Sequence, residues 1–426
     1  MNIAIILIYL LTQIVISYFI SKRINNEEDY LVGGRSVPFI FITMSLFATW
    51  FGAETCIGSS GAVYVEGLSG SRADPFGYSL CLVLSGLLIT KKIWNKNYFT
   101  LGDFYKDRYG ATVEKVASAI LCFSSLIWGA AQMRAFGQVL AQVSDLPIVP
   151  MMFCALLFVL VYCLFGGLLG DIASDFIQGI VIVLGLGLLL WTIASTEPTF
   201  MYHLTHQSAA RLSFLGNGEN LWMRLDRFAI PVLGSLVSQE IISRILSAKN
   251  ASIAQRASYT SAFIYIIVGA IPVIIGLVGP ALFTWTGHRD EFLIKIAEHY
   301  MPALSFPLFA GAIIAALLAT IDSILLGSAG LLGHNFLIPA LKIKNEKKKL
   351  LFTRFLVILS GLFCFSLAVL ADNIYELLEA ASSFGTSGIL IITMFGLWAR
   401  WGTARAALAS LVVGSLSTIG FKSLDI

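Results

Sequence analysis

Charged side chains inside long apolar segments are the residues of this 426-residue chain whose presence most needs a chemical explanation. Placing a charge at bilayer depth costs roughly a few kcal/mol or more, so each such residue is a candidate for binding an ion or a polar solute. Carboxylates attract cations, and a guanidinium binds a carboxylate through two parallel hydrogen bonds. The residues with this property are Glu54, Arg134, Asp171, Asp175, Glu240, Asp322 and Glu379.

Two of these acids lie in apolar segments that also contain helix-weakening residues. The stretch ATWFGAETCIGSSG at 48–61 surrounds Glu54 with three glycines, and Pro231 and Gly234 precede the SQE motif at 238–240. When the first apolar segment is set aside, these two segments begin two successive sets of five helices. Interrupted helices at matching positions in two halves are typical of inverted-repeat transporters, whose solute and ion sites lie at the breaks.

Each of the charged residues also has a structural explanation that competes with a functional one. Glu54 and Arg134 are candidates for an ion pair between two spans as well as for a solute site. Asp171 is expected near the end of its helix, as a cap or interface residue. Glu240 is placed to pair with Arg244, one helical turn further along the chain.

The elements that must position these residues are membrane-spanning helices. The chain is 57% hydrophobic and 12% charged, with a mean hydropathy of +0.84, whereas a soluble protein carries about a quarter charged residues. Apolar blocks of about 20 residues, each long enough to cross a bilayer, recur along the whole chain. We predict an all-α polytopic membrane protein, a single transmembrane domain over 1–426. Its twelve spans are predicted at 3–20, 37–66, 74–94, 112–142, 147–167, 171–195, 222–244, 255–282, 303–335, 352–371, 374–398 and 403–420.

The distribution of basic residues supports this count and predicts an orientation. With the N-terminus outside, the cytoplasmic loops hold 20 of the 28 Lys and Arg residues, as the positive-inside rule requires. The apolar residues 3–20 have no preceding basic residue and no small-residue cleavage site, so we expect a retained first helix rather than a signal peptide. The expected location is a bacterial inner membrane, as an integral protein.

The residue pattern does not indicate an enzyme or a nucleic-acid-binding protein. The six cysteines and five histidines show no paired or metal-ligand spacing, and the spans contain no sequence pattern of a nucleophile with its base. No nucleotide-binding loop interrupts the apolar segments. We therefore expect no catalytic residues and no nucleic-acid partner, and contacts with membrane lipid.

Six motifs resemble the sodium:solute symporters, and the resemblance covers almost the whole chain. They are EEDYLVGGRSVP at 27–38, ATWFGAETCIG at 48–58, AVYVEG at 62–67, GGLLGDIASDFIQG at 166–179, RILSAK at 244–249 and AALLATIDSILL at 315–326. The resemblance implies a five-plus-five inverted-repeat transporter core with one extra helix at each end. The first repeat is then 37–195 and the second 222–398, and the extra helices are 3–20 and 403–420.

The resemblance also implies a sodium site made of oxygen atoms, which a hard cation prefers. The carbonyl ligands correspond to Ala48 and Phe51 at the first break and to Ala316 in the eighth core helix. The hydroxyl ligand corresponds to Thr320. The family's other hydroxyl position holds Ala319, so this chain offers one ligand oxygen fewer than the family pattern.

A second sodium site, which uses an acid in the fifth core helix, occurs in some members of the family. Asp175 matches the position of this acid, and Ser174 lies beside it. These two residues are therefore expected to form a possible second sodium site that partly compensates for the missing hydroxyl.

The solute pocket implied by the resemblance is partly aromatic. Residues 62–87 resemble the high-affinity choline transporter branch of the family, which encloses a quaternary ammonium in an aromatic cage through cation–π attraction. Trp50 and Trp128 match two of the cage tryptophans, whereas the other two positions hold Ser238 and Leu378. Half of the cage is therefore replaced.

Polar side chains take the place of the missing aromatic ones. Arg134 is suited to bind a carboxylate, and the tryptophans are suited to cover an ammonium, so a zwitterion fits better than choline. The expected solute-binding residues are Trp50, Glu54, Thr55, Trp128, Gln132, Arg134, Gln239 and Glu379.

These residues predict a sodium-driven symporter that imports a small organic solute, an amino-acid-like zwitterion or a quaternary amine, by alternating access. Its partners are sodium, the solute and membrane lipid, and its oligomeric state is left open. A proton-coupled symporter of the same fold, with Glu54, Asp175 or Glu379 as the titrating acid, is the alternative within transport. A membrane sensor that binds solute without moving it is the alternative from another class.

Overall fold

A computed structural model describes residues 3–144, 146–216, 218–371, 388–399 and 401–423, together with Leu377 and Ala381. Helices make up most of this described part. The α-helices are, in chain order, α1 (Ile3–Ser21), α2 (Glu27–Val32), α3 (Phe39–Trp50), α4 (Ser59–Glu66), α5 (Tyr78–Leu88), α6 (Thr90–Trp94), α7 (Leu101–Tyr109), α8 (Ala111–Ser144), α9 (Ile148–Thr196), α10 (Phe200–Thr205), α11 (Leu221–Gly234), α12 (Gln239–Ser247), α13 (Ala251–Leu282), α14 (Phe292–Tyr300), α15 (Phe306–Leu332), α16 (Ile338–Ala340), α17 (Glu346–Leu370), α18 (Ile389–Trp398) and α19 (Ala404–Ser423).

Five helices of the described residues are long and apolar enough to cross a membrane, and counting each bent pair as one span raises the number to seven. The five are α8, α9, α13, α17 and the helix that runs from the start of α15 to the end of α16. The prediction of an all-helical membrane protein is confirmed at this level. The count of twelve spans and the boundaries of the two repeats remain predictions.

The first interrupted helix breaks immediately after α3. Phe51 leaves helical geometry at φ −86° and ψ 66°, and a single π-helical turn, Glu54–Gly58, restores the helix before α4. The axis changes direction by 60° across this break. Such turns leave some backbone groups without helical partners, which is common where a membrane helix lines a site.

The second interrupted helix is the pair α11 and α12, which meet at 42°. Ser238 begins α12 as its N-cap, and its hydroxyl accepts the backbone N–H of Ile241 at 3.4 Å. Pro231 lies inside α11, where it removes a backbone donor shortly before the break. Both interruptions predicted from glycine, proline and polar residues are therefore present.

The helix α9 contains two of the predicted spans, 147–167 and 171–195, in one helical element with a break between them. Gly167 has φ 50° and ψ −158°, a conformation that a side chain would strain. A Cβ atom there would lie 2.6 Å from the ring of Tyr30. The glycine thus permits both the change of direction and the close approach of α2.

The two interrupted helices are tied together at one end by backbone hydrogen bonds. The N–H of Val37, just before α3, donates to the carbonyl of Ser247 at 3.1 Å, and the N–H of Lys249 donates to the carbonyl of Val37 at 3.0 Å. The start of α3 therefore lies beside the end of α12. Helix α15 is the most enclosed of the long helices and packs against α8, α9 and α3.

Two ion pairs outside the long helices link Glu219, just before α11, to Arg72 and to Arg227. Glu219 accepts two hydrogen bonds from Arg72 at 2.5 and 2.8 Å, and Arg227 lies 2.9 Å from the same carboxylate. The hydrogen bonds and the charge of Arg72 lower the pKa of Glu219 from 4.5 to about 2. This group joins α11 to the segment that precedes α5.

Candidate functional site

A small pocket lies where both interrupted helices meet α5 and α8. Its position at two helix breaks is the one that the sequence predicts for a solute site. The described residues that line it are Trp50, Tyr78, Leu121, Ser124, Ser125, Trp128, Gly234, Ser235, Val237, Ser238, Glu240 and Ala381.

Aromatic rings form one wall of this pocket. The ring centroids of Trp50 and Trp128 are 5.3 Å apart at an interplanar angle of 74°, and those of Trp50 and Tyr78 are 6.3 Å apart at 89°. Edge-to-face packing of this kind fixes the rings relative to one another. A fixed aromatic wall attracts a cation through the negative faces of its rings.

Glu54 lies beside this wall, at the break after α3. Its carboxylate accepts the indole N–H of Trp128 at 3.0 Å and the amide N–H of Gln132 at 2.7 Å. Gln132 in turn accepts the backbone N–H of Ala53 at 2.8 Å. A Cβ atom at Gly52 would lie 2.8 Å from the amide oxygen of Gln132 and 2.9 Å from a carboxylate oxygen of Glu54, so a larger residue there would displace these side chains. Glu54 is thus a well-bonded acid that holds α8 against the break.

Thr55 belongs to a second buried network rather than to the pocket lining. Its hydroxyl donates to Asp74 at 2.7 Å and lies 2.6 Å from the hydroxyl of Tyr265. Tyr265 also donates to Asp74, at 3.0 Å, and to the backbone carbonyl of Trp50, at 3.2 Å. Sequence reasoning missed Asp74 and Tyr265. An acid two residues after Arg72, inside an apolar segment, was the available signal for Asp74.

Two residues of the expected sodium site, Thr320 and Ala316, lie on α15 where this helix packs against the end of α3. The hydroxyl of Thr320 lies 2.9 Å from the carbonyl of Thr49 and 3.2 Å from that of Ala316. Among the described residues, the carbonyl of Ala48 accepts a long bond, 3.3 Å, from the N–H of Phe51. The structure thus places the hydroxyl of α15 beside the carbonyl of Thr49, one residue after Ala48, and the full ligand set remains a prediction.

Three aspartates form a buried cluster between α9 and α15. One carboxylate oxygen from each of Asp171, Asp175 and Asp322 lies within 4.8 Å of the others, and all three side chains are buried. Arg244 of α12 lies 2.8 Å from Asp171 and 2.9 Å from Asp175. Three carboxylates and one guanidinium give a formal charge of −2 when all are ionised. Such a group favours the uptake of a proton or a metal cation.

Neighbouring hydroxyls bond to this cluster but leave some of its polar atoms without partners. Asp175 accepts from Ser45 and, at 3.3 Å, from Thr49, while Asp322 accepts from Tyr162 at 2.6 Å. The second oxygen of Asp175 has no hydrogen-bond partner in the described part of the chain. The hydroxyl of Ser174 is also buried there without a partner.

The sequence pattern that defines the sodium:solute symporter family matches residues 30–414. The chain belongs to this family. The sodium:solute symporters and the relatives found for this chain are transporters, so this protein is a transmembrane transporter rather than an enzyme.

Proteins with similar sequences come from several branches of the symporter family. The high-affinity choline transporter 1 of Torpedo marmorata is 26% identical over 444 residues, covering 98% of this chain and 76% of that protein. The human high affinity choline transporter 1 is 25% identical over 446 residues, covering 97% and 75%. The sodium/glucose cotransporter of Vibrio parahaemolyticus is 27% identical over 269 residues, covering 59% and 49%.

Solved structures support the transporter fold. A Na⁺-coupled sialic acid symporter in a substrate-bound outward-open state matches with a TM-score of 0.78 at 17% identity, covering 99% of this chain and 98% of that one. A nucleobase-cation-symport-1 family transporter, closed with bromovinylhydantoin bound, matches with a TM-score of 0.58 at 12% identity, covering 92% and 93%. At these identities the likeness shows the fold alone.

Two side-chain pairings that the sequence offered as structural alternatives are not formed within the described part of the chain. The guanidinium of Arg134 donates to the carbonyl of Ala368 on α17 at 2.9 Å, and no ion pair among the described residues joins it to Glu54. Arg244 donates at 3.2 Å to the backbone carbonyl of Glu240, and its carboxylate partners are Asp171 and Asp175 of α9. In both cases a helix from elsewhere in the chain supplies a side-chain or backbone partner. Sequence spacing describes one helix and cannot identify that neighbour.

Asp171 and Glu240 have surroundings that sequence reasoning did not assign to them. Asp171 lies in the first turn after the break at Gly167, near a helix end as expected, but it is 2% exposed and belongs to the buried cluster. Glu240 is completely buried and lines the main pocket, whereas Gln239, expected to bind solute, turns away from it. Gln239 accepts the backbone N–H of Leu101 at 2.9 Å and lines a separate, smaller cavity.

Of the residues predicted to bind solute, Trp50 and Trp128 line the main pocket, and Glu54 and Gln132 support Trp128 from behind. Glu379 and the cage position Leu378 lie outside the described residues. The sequence prediction of an aromatic pocket wall thus remains the part of the solute site for which the geometry offers most support.

Proposed function

We propose that this protein is a sodium-coupled symporter that imports a small organic solute with a positively charged nitrogen, a quaternary amine or an amino-acid-like zwitterion, by alternating access. The observation that carries the proposal is the pocket at both helix breaks, with an aromatic wall and an acid. No Lys, Arg or His is among its described lining residues. The names of the choline transporters matched over most of the chain support the same solute class.

The proposed sodium site consists of the carbonyls of Ala48, Phe51 and Ala316 with the hydroxyl of Thr320. The hydrogen bond from Thr320 to the end of α3 supports it, because a cation between these oxygens would join α15 to the interrupted helix. Ala319 has no hydroxyl to offer. A weaker or water-completed site is the expected consequence.

A second sodium site is proposed at Asp175 with Ser174. The unpartnered oxygens of these two residues support it, as does the excess of carboxylates over guanidinium in the cluster that contains Asp175. A cation there would offset part of the negative charge.

Coupling follows from the position of α3, which contributes to both the ion and the solute sites. A sodium ion that orders the break in α3 also fixes Trp50, the last residue of that helix and part of the pocket wall. Sodium then raises the affinity for solute, and by linkage solute raises the affinity for sodium by the same factor.

The first test is the thermal unfolding of the purified full-length protein in sodium against potassium, at equal ionic strength and fixed pH. We expect the midpoint to rise saturably with sodium alone, because an ion that binds only the folded state stabilises it. Solutes that raise the unfolding midpoint of the protein further in sodium are then tested for sodium-driven uptake into proteoliposomes. Equal midpoints in both ions at all concentrations would contradict sodium coupling.

Proton coupling is the second candidate, and one observation favours it. Asp171, Asp175 and Asp322 are buried together against a single guanidinium, an arrangement in which one proton relieves the repulsion. A pH jump across proteoliposomes without sodium separates the two candidates. Proton coupling would be favoured if solute accumulates under that pH gradient and if Asp322→Asn abolishes the accumulation.

A further inference from the structure

Glu240 lines the main pocket, and the sodium and solute sites proposed above assign no role to it. It lies in the first turn of α12, directly after the break, and is completely buried. Neither of its carboxylate oxygens has a well-formed hydrogen bond in the described part of the chain, and the donors nearest to it are its own backbone N–H and the hydroxyls of Ser125 and Ser238. A buried carboxylate in this state is costly unless a cation or a donor completes it.

The neighbouring groups do not neutralise Glu240. Arg244, one turn further on, gives it a backbone bond and directs its remaining nitrogens to Ser45, Asp171 and Asp175. The positive end of the α12 dipole favours a negative charge in this first turn, and the backbone N–H of Glu240 lies near the carboxylate without forming a well-aligned hydrogen bond.

Glu54 provides an internal comparison, because it is an acid near the same pocket with a complete set of partners. Trp128 and Gln132 donate to its two oxygens at 3.0 and 2.7 Å. The protein therefore satisfies one acid with well-formed hydrogen bonds from its own donors and leaves the other, a residue that lines the pocket, without one. This difference indicates that a hydrogen-bond donor of the bound solute completes the carboxylate of Glu240.

A second unpartnered group lies in the same pocket wall. The indole nitrogen of Trp50 is buried and has no acceptor among the described residues. An unpartnered acceptor at Glu240 and an unpartnered donor at Trp50 together fit a solute that carries both a cationic N–H and an oxygen atom.

From these contacts we infer that Glu240 is the counterion of the transported solute and that this solute is a protonated amine with at least one N–H, rather than a quaternary ammonium. The inference rests on the proposed function and narrows its solute class. A quaternary ammonium satisfies the aromatic wall but has no hydrogen to donate. An N–H ammonium satisfies both the rings and the carboxylate through a charge-assisted hydrogen bond.

The test is a methylation series bound to the purified full-length protein in saturating sodium: ethanolamine, N-methylethanolamine, N,N-dimethylethanolamine and choline. All four are cations at pH 7, and choline alone lacks an N–H. We expect dimethylethanolamine to bind at least about tenfold more tightly than choline, because a hydrogen bond to a charged group contributes that much. Glu240→Gln should remove this difference. Glu298→Gln, the loss of an exposed acid on α14, should preserve it.

If Glu240→Gln does not fold, the affinities of the wild-type protein for the four amines still test the inference. Glu240→Asp, which keeps the charge, should retain a preference for amines that carry an N–H. Choline binding as tightly as dimethylethanolamine would overturn it. So would the failure of every N–H amine to raise the unfolding midpoint while sodium still raises it. Loss of the sodium effect itself would instead overturn the proposed function, so the two failures are distinguishable.

Discussion

The guanidinium of Arg244 on α12 lies 2.8 Å from the carboxylate of Asp171 on α9, and both side chains are about 1% exposed. The same nitrogen lies 2.9 Å from Asp175, one turn further along α9. One cation of an interrupted helix thus holds two acids of a straight helical segment. Because water does not reach these groups, the loss of the cation would leave both acids unpaired in the protein interior.

Replacing Arg244 should therefore destabilise the protein strongly. We expect Arg244→Met to lower the free energy of unfolding by about 3–5 kcal/mol, the usual cost of leaving a buried charge uncompensated. Thermal unfolding in detergent at pH 7 measures this effect, with Arg256→Met, an exposed arginine of α13, as control. Equal midpoints for the two variants would show that Arg244 is not what holds the acids.

Removing the hydroxyl of Thr320 should weaken the response to sodium. Thr320→Ala removes the oxygen that joins α15 to the carbonyls at the break, so half-saturation should shift to sodium concentrations roughly tenfold higher. The sodium dependence of the unfolding midpoint measures the shift. Thr192→Ala is the matched control, because that hydroxyl donates only to the carbonyl of Leu188 in its own helix. An unchanged sodium curve for Thr320→Ala would refute the ion assignment.

Restoring a hydroxyl at position 319 should have the opposite effect. Ala319→Ser adds the oxygen that the family pattern has there, next to Thr320 and within the packed centre of α15. We expect half-saturation at lower sodium concentrations, with little change in the midpoint measured in potassium. A variant that loses stability equally in both ions would mean that the added atom is only overpacked.

The two buried glutamines Gln132 and Gln178 should differ in how much stability they lose on the same substitution. Gln132→Leu leaves the N–H of Ala53 and one oxygen of Glu54 without partners, at a cost of about 1–3 kcal/mol. Gln178 has no hydrogen-bond partner in the described residues, so Gln178→Leu should be close to neutral. Unfolding midpoints of both variants make the comparison, and a larger loss for Gln178→Leu would contradict it.

The pair of Arg72 and Glu219 should make stability depend on pH in the acid range. The pKa of Glu219 is lowered from 4.5 to about 2, so its contribution is complete above pH about 4.5 and declines as the pH falls toward 2. Glu219→Gln should cost on the order of 2 kcal/mol at pH 7, and its deficit should shrink below pH 4.5. Unfolding at pH 7, 5 and 3 measures this, with Glu346→Gln at an exposed pair as control. A deficit that stays constant down to pH 3 would argue against the pair.

The sequence predicted where helices are interrupted, because glycine, proline and polar residues act locally. The break after Trp50 and the break before Ser238 both follow from such residues, whereas the aromatic wall was implied by the resemblance to the choline transporter branch. Helical class and membrane location follow equally from apolar runs.

The partners of charged residues could not be predicted in this way. Helical spacing placed Arg244 near Glu240, yet the guanidinium pairs with Asp171 of a helix some seventy residues away in the chain. Arg134 likewise bonds to α17 rather than to the break. The orientation of a long side chain depends on which helix packs beside it, and a periodicity within one helix contains no information about that neighbour.

The backbone bridge between Val37 and Ala248 also bears on which of the helices α3, α11 and α12 can move independently. Two backbone hydrogen bonds and the hydrogen bond from Arg244 to Ser45 join the first turns of α3 and the end of α12 into one unit. Along the chain, the non-helical link at 235–238 separates α11 from this unit, and the two helices meet there at 42°. A rotation of α11 about this link would move the pocket wall at Gly234 without breaking the bonds that join α3 to α12.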